Sequence, residues 1–163
     1  MKRAASVFRI SSWVISAPVL IFSLFVGKGA EAVAGCKHTK KRFNCVDFVK
    51  NYDGDSLTFD ISKVHPIIGK QIRVRLAGVN TAERKSLDSC ERDVAYRAQA
   101  FVKQELSQAK RIDLVGIGRG KYFRVLADVI YDKKSLAETL LHRRLAVHYD
   151  GGTKPLIDWC HFF

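Results

Sequence analysis

Between residues 44 and 76 the chain alternates apolar and polar positions in short runs, the period of half-buried strands. Asn44 to Lys50 reads as a first strand. An Asp53-Gly54 turn leads into Ser56 to Ile61, where Leu57, Phe59 and Ile61 alternate with polar neighbours. His65-Pro66 and Gly69 mark a loop. In the third strand Ile72, Val74 and Leu76 share one face, which leaves Arg73 and Arg75 on the other. From Asp88 to Lys110 the period becomes helical, with Cys90, Val94, Ala98, Phe101, Val102 and Leu106 in one stripe. Two further strands follow, Ile112 to Ile117 and Arg124 to Tyr131, and the Gly116 to Gly120 run between them reads as a flexible hairpin loop. Ser135-Leu-Ala-Glu138 is a capping box that opens a second helix running to about Leu145. The tail from Asp150 to Phe163 is expected to be an ordered coil pinned by Trp159 and Cys160.

Three strands, a helix, two strands and a helix is the element order of an OB-fold. The expected fold class is mainly β with α: a five-stranded, partly open barrel, with a helix between strands three and four and a C-terminal helix. Periodicity does not speak to barrel closure, so an α+β arrangement without it also satisfies the pattern.

The N-terminal segment is set apart. Lys2, Arg3 and Arg9 precede an apolar stretch from Trp13 to Val26, and small residues follow at Ala30, Ala32 and Ala34, the order of a secretory signal. The stretch is short for a membrane span, and Pro18 interrupts it. The expectation is a signal peptide over residues 1–35, one domain over 36–163, and an exported product, periplasmic or secreted. Two alternatives are a retained N-terminal membrane anchor and a lipid on Cys36, since Val33-Ala-Gly-Cys36 matches a lipobox although Lys28 and Glu31 separate it from the apolar run. Four cysteines, Cys36, Cys45, Cys90 and Cys160, lie beyond the signal, an even count that reads as disulfides in an exported domain. Of three possible pairings, Cys36 with Cys45 and Cys90 with Cys160 is preferred, because the first closes a local loop and the second ties the tail to the long helix.

The formal charge is +12, of which Lys2, Arg3, Arg9, Lys28 and Glu31 account for +3, leaving +9 on the exported part. Such an excess favours polyanions, nucleic acid first and anionic membrane surfaces second. No stable membrane association is expected after signal cleavage, and the protein is expected to be a monomer. The five histidines have no metal-ligand spacing, and no nucleophile elbow or Walker motif is present. Taken singly, Asp53-Gly54-Asp55 is a common turn, Arg75 a solvated strand residue and Glu83 a loop charge.

Their succession says more. Asp53-Gly-Asp-Ser56, Arg75-Leu-Ala-Gly-Val-Asn-Thr-Ala-Glu83, Lys121-Tyr-Phe-Arg124 and Leu145-Ala-Val-His-Tyr-Asp-Gly-Gly152 together resemble the staphylococcal nuclease (thermonuclease) family, from about Val46 to Cys160. The resemblance implies the OB-fold independently of element order. It also implies roles: Asp55 as a calcium-ligating aspartate with Asp53 as a supporting acid, Arg75 and Arg124 as phosphate-binding arginines, and Glu83 as the carboxylate that activates water. Asn80 stands where the family usually has a second calcium-ligating aspartate, and Thr81 matches a residue that offers its carbonyl. Lys121, Tyr122 and Tyr149 match residues that contact substrate. Two further departures flank these positions, Ala82 for a common proline and Phe123 for a common glycine.

The function this implies is a calcium-dependent endonuclease that hydrolyses DNA and RNA with little base specificity and leaves 3′-phosphates. The alternative from a different class is a noncatalytic OB-fold binder of single-stranded nucleic acid whose metal site Asn80 has weakened. A basic structural protein of the cell surface is a third reading, and it gives the clustered acids nothing to do.

Overall fold

The computed structural model describes residues 35–120, 122 and 124–162. The expected signal segment up to residue 34, and Lys121 among the candidate site residues, lie outside the described residues. Among the described residues no helix is long and apolar enough to cross a membrane.

The fold class is mainly β with α, as expected. The elements run β1 (Arg42–Phe43), β2 (Asp47–Asn51), β3 (Ser56–Asp60), α1 (Pro66–Gly69), β4 (Ile72–Leu76), β5 (Val79–Thr81), α2 (Ser89–Gln108), β6 (Ile112–Arg119), β7 (Val125–Tyr131), β8 (Lys134–Ser135), α3 (Leu136–His142) and β9 (Ala146–His148). One sheet has the order β1-β6-β7-β4-β3-β2, with β8 beside β7, and β5 pairs separately with β9. Neighbours are antiparallel except β4 and β7, which run parallel in the register Val74↔Val125, Arg75↔Leu126, Leu76↔Ala127.

The sheet does not close into a barrel. Its two edges are successive pieces of one chain segment, β1 laid on β6 and β2 on β3, and the chain passes between them at residues 44–46. Val46 N–H still reaches Ile112 O at 2.9 Å, so the sheet curls until its edges are neighbours without a ladder between β1 and β2.

Leu57 and Phe59 of β3, Val74 and Leu76 of β4, Leu114 of β6 and Val129 of β7 form the floor of the core. Ala98, Val102 and Leu106 of α2 cover it from one side, and Leu136 and Leu140 of α3 from another. Each fully buried Leu, Val or Phe here contributes about 1.5–3 kcal/mol of apolar burial. Helix α2 starts where Asp88 caps it, its side chain accepting from Cys90 N–H at 2.8 Å. Ser135 caps α3 as expected, its Oγ accepting from Glu138 N–H at 3.3 Å, the serine half of the box. Helix α3 stops at His142, short of Leu145. Arg144 adopts φ +56°, Arg144 N–H reaches Leu141 O and Leu145 N–H reaches Leu140 O, the paired bonds of a Schellman cap.

Two loop expectations are corrected. Pro66 starts a one-turn helix, its fixed φ suiting the first helical position and the His65 side chain accepting from Ile67 N–H. The glycine run is mostly strand: Gly116, at φ +66°, makes a bulge between Val115 and Gly118, after which Gly118 and Arg119 pair again with Leu126 and Val125. Gly120 N–H then reaches Arg124 O at 2.8 Å.

The cysteines pair as Cys36–Cys45 and Cys90–Cys160. The second bond fastens the tail to the start of α2. Trp159 packs beside it against Val94 and Ala95 of that helix and Val147 of β9.

Candidate active site

The turn between β2 and β3 is the foundation. Asp53 Oδ1 accepts from the backbone N–H groups of Asp55 and Ser56 at 3.1 and 2.6 Å, so this acid builds the turn with its own side chain. Gly54 lets the turn touch its neighbours, since a Cβ there would stand 2.6 Å from Thr81 Cγ2 and 3.0 Å from Ala98 Cβ of α2. Asp55 is thereby driven inward. Its Oδ2 accepts from Thr81 N–H at 2.8 Å and Thr81 Oγ1 at 3.0 Å.

That contact depends on β5, which sequence reasoning did not assign as a strand. β5 pairs with β9 in the register Val79↔His148, Asn80↔Val147, Thr81↔Ala146, and Tyr149 N–H then reaches Gly78 O. One short pairing thus brings Asn80, Thr81 and Tyr149 to the turn. Its residues carry no alternation to betray it, since Val79, Asn80 and Thr81 are all buried.

The arginines converge because β4 and β7 are parallel. Arg75 lies in β4, and Arg124 immediately precedes the residue of β7 that pairs with Val74. Arg75 Nη2 donates to Asn80 Oδ1 and Val79 O, both at 3.2 Å. Its Nη1 forms an ion pair with Asp55 Oδ1 yet has no aligned hydrogen-bond acceptor among the described residues. Arg124 Nε is buried and likewise without an acceptor among them. A buried guanidinium nitrogen without an acceptor, as Arg124 Nε is, is costly unless an anion completes it.

A cleft of about 840 Å³ opens over these groups. Asp53, Asp55, Arg75, Glu83, Arg124, Tyr122 and Tyr149 all reach its wall, so most of the candidate set is in one place. Asn80 and Thr81 stand behind the wall, 6% and 2% exposed, and meet the cleft through Arg75 and Asp55. Tyr122 sits at the loop tip, 88% exposed and at φ +58°, and Tyr149 Oη donates to Gly152 O at 2.9 Å. A second cavity of about 600 Å³, between β2, the end of α2 and the Cys36–Cys45 disulfide, gathers none of the candidate catalytic groups.

Burial raises the Asp53 carboxyl above its ordinary value, against the lowering effect of its bonds to Ser56 and of the nearby Arg75 charge. Burial also lowers Arg75, opposed by Asp53 and reinforced by the like charge of Arg124. Two like charges are held together in a half-dry wall, an arrangement that favours an anion such as a phosphate.

Lys154 was missed. It forms an ion pair with Glu83 across the mouth of the cleft, on a tail held there by the β5–β9 pairing before it and by Trp159 and the Cys90–Cys160 bond after it. Arg119 and Asp150 also line the cleft, Arg119 because β6 runs further than its glycines suggested. No local pattern marks any of the three.

The donor chemistry fits a hard divalent cation. Asp55 Oδ1 and Asn80 Oδ1 are oxygens that face the same guanidinium, and the nearby Asp53 adds a second carboxylate. Elsewhere Asp88, Cys90 and Cys160 bring their ligand atoms within 4.8 Å of one another, but both sulfurs are consumed in a disulfide.

Two comparisons bear on this arrangement. The chain is 33% identical over 132 residues to endonuclease YncB of Bacillus subtilis (strain 168), a match that covers 76% of this chain and 59% of the relative. The chain thus spans about three-fifths of that relative's length. A family model described as staphylococcal nuclease homologue matches residues 73–155, which takes in Arg75, Asn80, Thr81, Glu83, Arg124 and Tyr149 and leaves the Asp53–Asp55 turn outside the matched span. Fold, convergent arginines and sequence match agree, and the chain belongs to the staphylococcal nuclease homologue family.

Proposed function

We propose that this protein is a nuclease that hydrolyses phosphodiester bonds in DNA and RNA with little base specificity, requires calcium and leaves 3′-phosphates. The observation that carries the reading is the Arg75–Arg124 pair, half-buried in one cleft wall that the carboxylate of Glu83 also reaches.

In-line attack on phosphorus builds charge on the nonbridging oxygens, and the two guanidinium groups neutralise it where it develops. Arginine suits this because its planar fork meets two oxygens at once. Glu83 takes the proton of the attacking water, and its ion pair with Lys154 holds the carboxylate at the mouth of the cleft. Asp55 orients Arg75, so that losing Asp55 misaims the guanidinium. Asp55, Asn80 and the Thr81 carbonyl would hold the calcium ion, which when bound supplies further positive charge at the phosphate.

Export is part of the proposal. Its support is the signal-like N-terminus and the two disulfides, which persist in oxidising compartments. The test incubates the purified protein with denatured DNA and with RNA, in calcium and in a chelator. Hydrolysis in calcium alone is expected. Equal rates in chelator overturn the calcium requirement, and tight binding without cleavage selects the noncatalytic binder instead.

A further inference from the structure

A second groove adjoins the cleft. It has a volume of about 560 Å³ and shares Tyr52, Ser56 and Arg124 with the cleft, and it runs over the face of the sheet that carries Lys50 and Arg73, beside the turn that carries Arg84 and Lys85. We propose that this groove is a second nucleic-acid subsite, which takes the sugar–phosphate backbone of a single strand next to the scissile phosphate. The inference rests on the nucleic-acid reading of the cleft and extends it to the length of strand engaged.

Strand register puts the cations in rows. Ser56 pairs with Arg75, and one pleat further along the same face Thr58 pairs with both Lys50 and Arg73. Two residues of strand advance about 6.7 Å, a step comparable to the backbone repeat of an extended nucleotide strand. A strand whose scissile phosphate meets Arg75 therefore presents its next phosphate to the Lys50–Arg73 row.

The composition of the wall excludes the bland account. A solvated basic face on a protein with 16 acidic residues normally carries some of them, and no acid lines this groove. Lys50, Arg73 and Lys85 make no ion pair among the described residues, whereas Lys70, on the same side of the chain's charge balance, is paired to Asp60. Arg84 is held rather than loose. Its guanidinium lies 4.9 Å from the Tyr52 ring centroid and 5.1 Å from that of Tyr96, Nη1 donates to Tyr52 O at 2.8 Å, and Nε is buried without an acceptor among the described residues. That is a preorganised cation with a donor to spare.

The aromatic at the junction favours a single strand over a duplex. Tyr52 is about half exposed, and Arg84 steadies its ring where the two cavities meet. A free base can stack on such a ring, and a paired base cannot reach it.

The experiment measures fluorescence anisotropy of the full-length protein with labelled oligothymidylates, a tetranucleotide and a hexadecanucleotide, in chelator so that nothing is cut. The variant K50Q/R73Q/K85Q is expected to lose about tenfold in affinity for the long probe at low salt, with much less loss for the short one. Its salt dependence should also flatten, the slope of log K against log salt falling by about 2, since each phosphate contact on a single strand contributes about 0.7. Arg73→Glu, a single change at an exposed strand position, is the second variant and should give the same length-selective loss.

Equal losses for both probes, or none, overturn the subsite. Loss of binding to phosphatidylserine vesicles with the long probe still held assigns the groove to an anionic membrane surface and overturns it as well. The nuclease reading fails separately. Absence of cleavage in calcium with length-selective binding intact sinks the nuclease and leaves the groove.

Discussion

Asp113 and Asp55 are equally buried, each 5% exposed, and each meets arginine, yet the two neighbourhoods are built differently. Asp113 lies beneath the Cys36–Cys45 disulfide and is saturated. It accepts from Cys45 N–H at 2.9 Å, Arg42 Nη2 at 2.9 Å and Arg111 Nε at 3.1 Å. Burial raises its pKa, these three partners outweigh the burial, and the carboxyl is held below its ordinary value. The cleft is the reverse. Asp53 is raised, Arg75 is lowered, and two guanidinium nitrogens lack aligned acceptors among the described residues. Burial of an acid beside arginine is therefore not the signature of a site; opposed pKa shifts at groups that open onto a cleft are.

The largest expected effect breaks the cleft side of this comparison. Arg75→Ala and Arg124→Ala should each lower turnover by about a thousandfold, with melting temperature little changed for Arg124→Ala, whose Nε gives up no bond. Steady-state cleavage and thermal melts of the same preparations check both. Near-wild-type rates in folded protein would remove the arginines from the chemistry.

Asp113→Ala should do the opposite, costing about 2–3 kcal/mol of stability, less than a fully buried pair because both arginine heads are half exposed. Activity per folded molecule should persist. Denaturant unfolding gives the first number and active-site titration the second. Gly54→Ala joins the two sides: overpacking against Thr81 and Ala98 should cost about 1–3 kcal/mol, and displacement of Asp55 should cut turnover as well.

Asn80→Asp should have a smaller effect, a tightening of calcium affinity by several-fold, because a carboxylate attracts the cation more than an amide does. Calorimetric titration of both proteins decides it, and unchanged or weaker affinity would withdraw position 80 from the metal. The smallest effect is with pH. Asp113, lowered in the fold, contributes stability that is present above the unfolded value of about 3.8 and is lost as pH falls through its folded value. Asp53, raised in the fold, has the opposite sign: its contribution is present below about 3.8 and is lost as pH rises through its folded value. Between pH 5 and 2 the acid loss seen in the wild type should therefore shrink in Asp113→Asn and steepen in Asp53→Asn. Melts across that range measure both.

The long elements were legible because burial imposes its own period on them. Leu57 and Phe59 mark β3, and Val94, Ala98, Val102 and Leu106 mark α2, as far as the cap at Asp88. Ser135 announced α3 through a bond to its own neighbour. What stayed hidden is pairing between distant segments. Asn80 and Thr81 are buried polar residues in a three-residue strand, Gly116 bulges rather than turns, and Lys154 reaches Glu83 from a tail that distant contacts hold in place. The residues of the cleft were readable by resemblance, while their convergence is a product of the parallel β4–β7 contact.

That contact also orders events during synthesis. A ribosome delivers Arg75 well before Arg124, and α2 and β6 must be laid down between them before β7 can settle against β4. The tail residue that faces Glu83 emerges later still, and its tether to Cys90 waits for an oxidant. Slow, non-local pairing of this kind completes late. A nascent chain accordingly presents a basic surface before its pair of arginines is assembled.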